Sequence, residues 1–296
     1  LYTVPEGEKL IGTNFRLNPN AKLGYSDGTY YYTPDNWENE ILNTGNLRQE
    51  YNINISGGNN QTNYFISAGY LNDPGLINGS GFERFTGRAK IDSKVNKWLK
   101  VGASATYAHA SSENPSNQDD WGSTGNVFYA ANAMAPIYPF YVRNADGDIK
   151  VDGNGYQVYD SGTNTNFVRP GSAPQGNNAI NLLIDTNKEV SDYFTGSLSA
   201  TITPVEGLNI SANITPEYMG RYTNSLSNPF YGSTSVGGAV GVAAERFFAI
   251  NQQYTIGYKT KFADFHNIEV IAGWEAYNLK AQVLSASNDH LFNPFV

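Results

Sequence analysis

Few residues in this chain of 296 are placed for covalent chemistry. Its three histidines, His109, His266 and His290, are scattered and share no ligand spacing. With no cysteine there is no thiol nucleophile, disulfide framework, cysteine-ligated zinc or iron–sulfur cluster. No G-x-S-x-G elbow, P-loop or dinucleotide fingerprint is present. Glycoside hydrolysis needs two carboxyl groups flanking one bond. The obvious acid clusters are Asp119-Asp120 and Glu38/Glu40, both in loop-like sequence. The run Asn144-Ala145-Asp146-Gly147-Asp148 followed by Asp152-Gly153-Asn154 has acid spacing similar to a calcium loop. Its glycine position is held by Ile149, and no Glu closes it. Hairpin turns at Asp-Gly and Asn-Gly are the simpler reading. The chain therefore reads as a non-enzyme with no metal site and no cofactor.

Two sets of residues suit binding instead. Aromatic side chains crowd 110–190: Trp121, Phe128, Tyr129, Tyr138, Phe140, Tyr141, Tyr156 and Tyr159. Sugar rings stack on aromatic faces, and tyrosine adds a hydroxyl, so Trp121, Tyr138, Tyr141, Tyr156 and Tyr159 are the candidate substrate contacts. The competing reading is that these rings form a small core for a long loop. The most apolar run, 130–141 (AANAMAPIYPFY), is either a packed anchor or a surface for a partner. The second set is Arg84, Arg88, Lys90 and Lys94 with Asp92, at spacing two. Such a row is either a contact surface for an acidic or polar ligand or a solvated wall.

The elements that would carry these residues are strands. Tyr 21, Phe 15 and Trp 4 make an aromatic content of 14%, and strand formers outweigh helix formers. Period-2 alternation is clean in several stretches. In 191–203, Phe194, Gly196, Leu198, Ala200 and Ile202 oppose Tyr193, Thr195, Ser197, Ser199 and Thr201. In 208–218, Leu208, Ile210, Ala212 and Ile214 oppose Asn209, Ser211, Asn213 and Thr215. The same holds in 84–95 and 98–108, more briefly in 51–56 and 64–71, and more noisily in 247–262 and 267–285. In 34–42, Pro34 at the first helical position and Thr33 as cap predict a short helix.

Eight strands result, and several exceed the usual 5–6 residues of globular strands. Their apolar faces mix Gly and Ala with Leu and Ile, which suits lipid better than a close-packed sandwich core. Connections alternate between short and long, as in outer-membrane barrels. The short ones are 57–61, 95–97, 204–207 and 263–266. The long ones include 110–190 and 224–245. The expected organisation is a loop region over 1–47, then a transmembrane β-barrel portion over 48–296. No run of 18 apolar residues suggests a transmembrane helix. The net charge, 19 − 27 = −8, argues against nucleic acid. The chain begins with no secretory signal, as expected of a cytosolic protein or of a mature or partial chain. It closes on loop-like 285–290 with no closing strand, as expected of a stretch from a larger barrel. The competing class is a secreted, soluble β-rich module that binds or hydrolyses carbohydrate.

Several motifs carry a resemblance. Asn54-Ile55-Ser56-Gly57-Gly58, Thr62-Asn63-Tyr64-Phe65, Gly69-Tyr70-Leu71 and above all 82–102 (FERFTGRAKIDSKVNKWLKVG) resemble the early barrel of SusC/RagA-type TonB-dependent transporters of Bacteroidetes. So do Asp35-Asn36-Trp37, Asn43-Thr44-Gly45, Pro204-Val205-Glu206-Gly207-Leu208 and Ile271-Ala272-Gly273-Trp274-Glu275. The resemblance covers most of 34–108 and 190–277. It implies roughly the second to ninth strands of a plugged 22-stranded barrel in the cell outer membrane. It also implies uptake of glycans or oligopeptides, a SusD-like surface lipoprotein as lid, and drive from the TonB complex through a plug that is not in this chain. Arg84, Arg88 and Lys90 would then face the lumen or the plug, and outer-membrane lipid would surround the apolar face.

Overall fold

A computed structural model describes residues 1–114, 126, 128, 132, 134–153, 155–169, 185–228, 237–263 and 265–291. The leader contains four two-residue strands: β1 (Tyr2–Thr3), β2 (Lys22–Leu23), β3 (Tyr25–Ser26) and β4 (Tyr31–Tyr32). One helix follows, α1 (Trp37–Ile41). The main body is a single antiparallel meander in chain order. Its strands are β5 (Gln49–Gly58), β6 (Thr62–Pro74), β7 (Gly81–Lys94), β8 (Leu99–Glu113), β9 (Thr186–Ile202), β10 (Leu208–Ser227), β11 (Ala239–Phe262) and β12 (His266–Asp289). The four tight connections all lie at one end of the sheet, and the long ones at the other. Asn59 accepts from the backbone N–H groups of Gln61 and Thr62 in the first tight turn, and Gly207 holds φ +84° in the third. At Gly207 an added Cβ would meet the Lys259 carbonyl oxygen, so glycine is required.

All eight sequence-predicted strands exist, but their ends at the long-loop side were underestimated. β9 begins at Thr186 rather than 191, β10 runs on to Ser227 rather than 218, and β11 begins at Ala239 rather than 247. Residues 285–289, read as loop, are the end of β12. The long connections correspondingly shrink to 114–185 and 228–238. The physical reason is that alternation comes from having lipid on one side only. Beyond the membrane both faces are wet, and sequences such as Thr223, Asn224 and Ser225 keep the ladder without the pattern.

The helix was also misjudged at its start. Asn36 is the cap, not Thr33, and accepts from the backbone N–H groups of Glu38 and Asn39. Pro34 lies outside α1, which buries Trp37 and Ile41, four residues apart on one face.

Candidate functional site

The wall comes first. Cross-strand register places Ile53, Ile66, Ala89, Ala105, Leu198, Ile214 and Ile256 on one face. No second layer covers them among the described residues: Ile53 is 64% exposed, Leu198 59% and Val270 61%. The opposite face is knitted by polar side chains. Ser197 donates to Asn213 at 3.0 Å, Thr201 and Ser211 meet at 3.0 Å, and Asn251 and Gln253 both donate to Glu275. An apolar face that stays exposed while hydrogen bonds gather on the other is the arrangement of a sheet whose outer solvent is hydrocarbon.

Aromatic residues mark the limits of that apolar band. Tyr51, Tyr70, Phe85, Tyr107, Phe194, Tyr218, Tyr254 and Trp274 share the apolar face, one on each strand. Each lies roughly eight residues from the short-turn end of its strand, which at about 3.3 Å per residue and about 40° of tilt is about 20 Å. Neighbours touch: Tyr70 and Phe85 at 4.6 Å, Tyr254 and Trp274 at 5.5 Å between ring centroids. Near the short turns, exposed Tyr64, Tyr258 and Phe262 on the same face form the second rim. These are the two girdles of a membrane-spanning barrel wall.

Arg84, Arg88, Lys90, Asp92 and Lys94 all project from the polar face of β7. Lys90 pairs with Asp92 at 2.9 Å. Arg88 lies 6.0 Å from the Phe65 ring and Arg84 6.0 Å from that of Phe82. On the same face nearer the long loops, Arg221 sits between Glu189 at 3.5 Å and Glu245 at 3.4 Å.

On the long-loop side the leader docks on residues 134–169 through a core of Trp37, Ile41, Met134, Tyr138 and Phe140. Trp37 Nε1 donates to the Tyr138 carbonyl at 2.9 Å, and its ring meets Phe140 edge-on at 4.9 Å. Asp35 takes both ends of the Arg143 guanidinium, at 2.6 and 2.9 Å, and also the backbone N–H of Phe140 at 2.7 Å. Arg169 and Asp160 form a fully buried pair at 2.8 Å, with the guanidinium 5.5 Å from the Trp37 ring and 5.6 Å from Tyr138. Burial pushes the Asp160 carboxyl up and the Arg169 guanidinium down, each opposed by the other's charge. Burial, then the Glu40 carboxylate at 2.6 Å, holds the Tyr141 phenol well above its usual range. Backbone N–H groups of Tyr30 and Thr29 hold Asp27 well below the usual carboxylate range. Burial and then the hydrogen bond to Asp27 push Tyr32 up to about 12.

The structure thus brings three of the five aromatic candidates together. Tyr138 is buried in the loop core, and Tyr141 and Tyr159 stack at 5.5 Å beside it. Tyr156 is exposed, in a tight turn where its backbone N–H donates to Asp152 Oδ1. Trp121, Tyr129, Asp119 and Asp120 lie outside the described residues. Gly147 and Gly155, at φ +96° and +89°, close turns in the run whose acid spacing was similar to a calcium loop. Among the described residues no three His, Asp or Glu side chains gather as metal ligands. Sequence reasoning missed the charged pairs Asp35–Arg143 and Asp160–Arg169, which are far apart in the chain or carry no motif. Trp37 and Ile41 were findable from their helical spacing.

Fold and wall together define a transmembrane β-barrel segment. No family model matches the chain. It is 24% identical over 274 residues to TonB-dependent receptor P26 of Formosa agariphila, covering 90% of this chain and 24% of that one. It is 32% identical over 141 residues to TonB-dependent receptor P3 of the same organism, covering 46% of this chain and 14% of that one. It is 26% identical over 106 residues to TonB-dependent receptor SusC of Bacteroides thetaiotaomicron, covering 36% and 10%. Its fold matches a solved RagAB peptide transporter with TM-score 0.65 and 22% identity, over 88% of this chain and 27% of that one. The chain is thus similar in sequence to TonB-dependent receptors and in fold to the barrel of a RagAB transporter, and it spans about a quarter of the length of P26.

Proposed function

We propose that this segment forms part of the wall of a TonB-dependent importer in the bacterial outer membrane, which takes up glycans or oligopeptides. The observation that carries this is the uncovered apolar face bounded by two aromatic girdles, with every tight turn at one end. A soluble module would bury Leu198, Ile210 and Ile214 under a second layer, and the described residues supply none. The importer pairs with a SusD-like surface lipoprotein over the long-loop side and draws on the TonB complex through its plug. The wall itself performs no bond chemistry.

In this reading Arg84 and Arg88 provide positive charge beside the Phe82 and Phe65 rings, suited to a carboxylate or other polar group of a substrate or of the plug. Tyr156 is the exposed candidate ring, while Tyr138, Tyr141 and Tyr159 hold the loop that carries it. The test is uptake of labelled oligosaccharides and oligopeptides by cells expressing the full-length protein, with and without TonB. TonB-dependent accumulation of one class supports the proposal and chooses the substrate. Accumulation that persists without TonB, or none of either class, overturns it.

A further inference from the structure

The membrane-facing wall is not uniformly filled. On three adjacent strands, opposed positions carry Ala89, Ala105 and Gly196, and the next strand opposes Gly196 with Pro216. Pro216 lacks an N–H, so the β9–β10 ladder lapses between Ile214 and Glu217 and resumes in the same register. A Cβ on Gly196 would approach Pro216 Cγ to 3.1 Å, so glycine lets the ring sit close. The result is a cavity of about 500 Å³ with Ala89, Ala105 and Gly196 in its lining, bounded by Tyr64, Ile66, Leu198 and Phe194. That is about three times the volume of an engineered apolar cavity that takes up benzene.

Directly above it, toward the long loops, is a polar trio on the same face. Tyr107 opposes Phe194 and His109 opposes Asp192. Asp192 Oδ1 accepts from the Tyr107 hydroxyl at 2.5 Å and meets His109 Nδ1 at 2.8 Å. A carboxylate on the membrane face needs a reason to be there. Its side chain remains 43% exposed, at the level just beyond the aromatic girdle where lipid head groups lie.

We propose that this cavity holds one acyl chain of a membrane lipid whose head group carries an ammonium, with Asp192 as its acceptor. The cavity is apolar, faces hydrocarbon and opens below Asp192, an acidic group that complements such a head. The proposal needs only the membrane-facing wall and is independent of what the transporter carries.

The test uses the full-length transporter, stripped of lipid and returned to vesicles of phosphatidylethanolamine or phosphatidylglycerol. Retained lipid is then counted by native mass spectrometry. The wild type retains phosphatidylethanolamine preferentially. Ala105→Phe fills the cavity and lowers retention roughly tenfold. Asp192→Asn keeps total lipid but narrows the preference roughly threefold. Ala105→Leu replaces Ala105→Phe if the larger residue abolishes the heat-modifiable gel shift of the folded barrel. Unchanged retention in both cavity variants, or equal retention of the two lipids by wild type, overturns the proposal. So does conversion of a dimer to monomer with lipid retention unchanged, which would assign the face to a second copy of the chain.

Discussion

The wall and the loop cluster are built from similar residue types by opposite rules. In the wall, Leu198 and Ile214 stay uncovered, while Ser197 and Asn213 find each other. In the cluster, Phe140 and Ile41 are sealed from solvent, and charges are admitted only as matched pairs such as Asp160–Arg169. The wall has one layer because lipid supplies the second. The cluster stands in water and must supply both sides of its core from the chain, drawing the leader over residues 134–169. Exposure of an apolar side chain therefore means opposite things in the two regions.

The largest break should come in the cluster. Arg169→Ala leaves Asp160 buried without its cation, which costs about 3–5 kcal/mol. Hydrogen exchange should then rise across 134–169 and α1, with β5 to β12 unchanged. Replacing both partners by apolar residues of similar volume should cost much less. Equal losses from the single and double changes would show that the cost does not come from leaving the Asp160 charge without its partner. In the wall, Leu198→Arg should cost about 2–4 kcal/mol of folding into bilayers, whereas Ser199→Arg, one residue on and facing the polar side, should cost under about 1 kcal/mol. Denaturant titration in vesicles reads both. A similar cost for both would mean that the two faces do not see different solvents.

This division also explains what was legible in the sequence. The alternation of Phe194, Leu198 and Ile202 with Thr195, Ser199 and Thr201 is a one-dimensional record of which solvent each side chain meets, so eight strands and their tight turns could be read directly. The record stops where lipid stops, which is why Thr186–Val190 and Ser285–Asp289 were read as loop although both are strand. The motif in 82–102 carried the type of barrel. The cluster was legible only as a supply of aromatic residues. That Arg143 meets Asp35, and that Arg169 lies between Trp37 and Tyr138, depends on tertiary contacts between the leader and the long loop, which no local period encodes. The slot in the wall shared this fate: Ala89, Ala105 and Gly196 are unremarkable until register sets them side by side.

Smaller changes sharpen the contrast within the cluster. Asn36→Ala removes the cap of α1 and should cost about 1 kcal/mol, read as faster exchange of the Glu38 and Asn39 amides with the wall untouched. Alkaline pH should do something similar at the leader. Tyr32 is buried and donates to Asp27 at 2.8 Å, and Asn166 of the long loop donates to the same Asp27 oxygen at 2.9 Å. The Tyr32 phenol, which loses its proton near 10 when unfolded, is pushed up to about 12 in place. A group raised in this way binds its proton more tightly in the folded state. Its contribution is therefore complete below pH 10 and fades as pH rises toward 12. Proteolysis in the leader should accelerate over that window while the barrel strands stay protected, and Tyr32→Phe should abolish the part of the acceleration that comes from this group. An acceleration unchanged in Tyr32→Phe would assign it instead to Tyr141 or Tyr159, whose phenols are raised by burial in the same core.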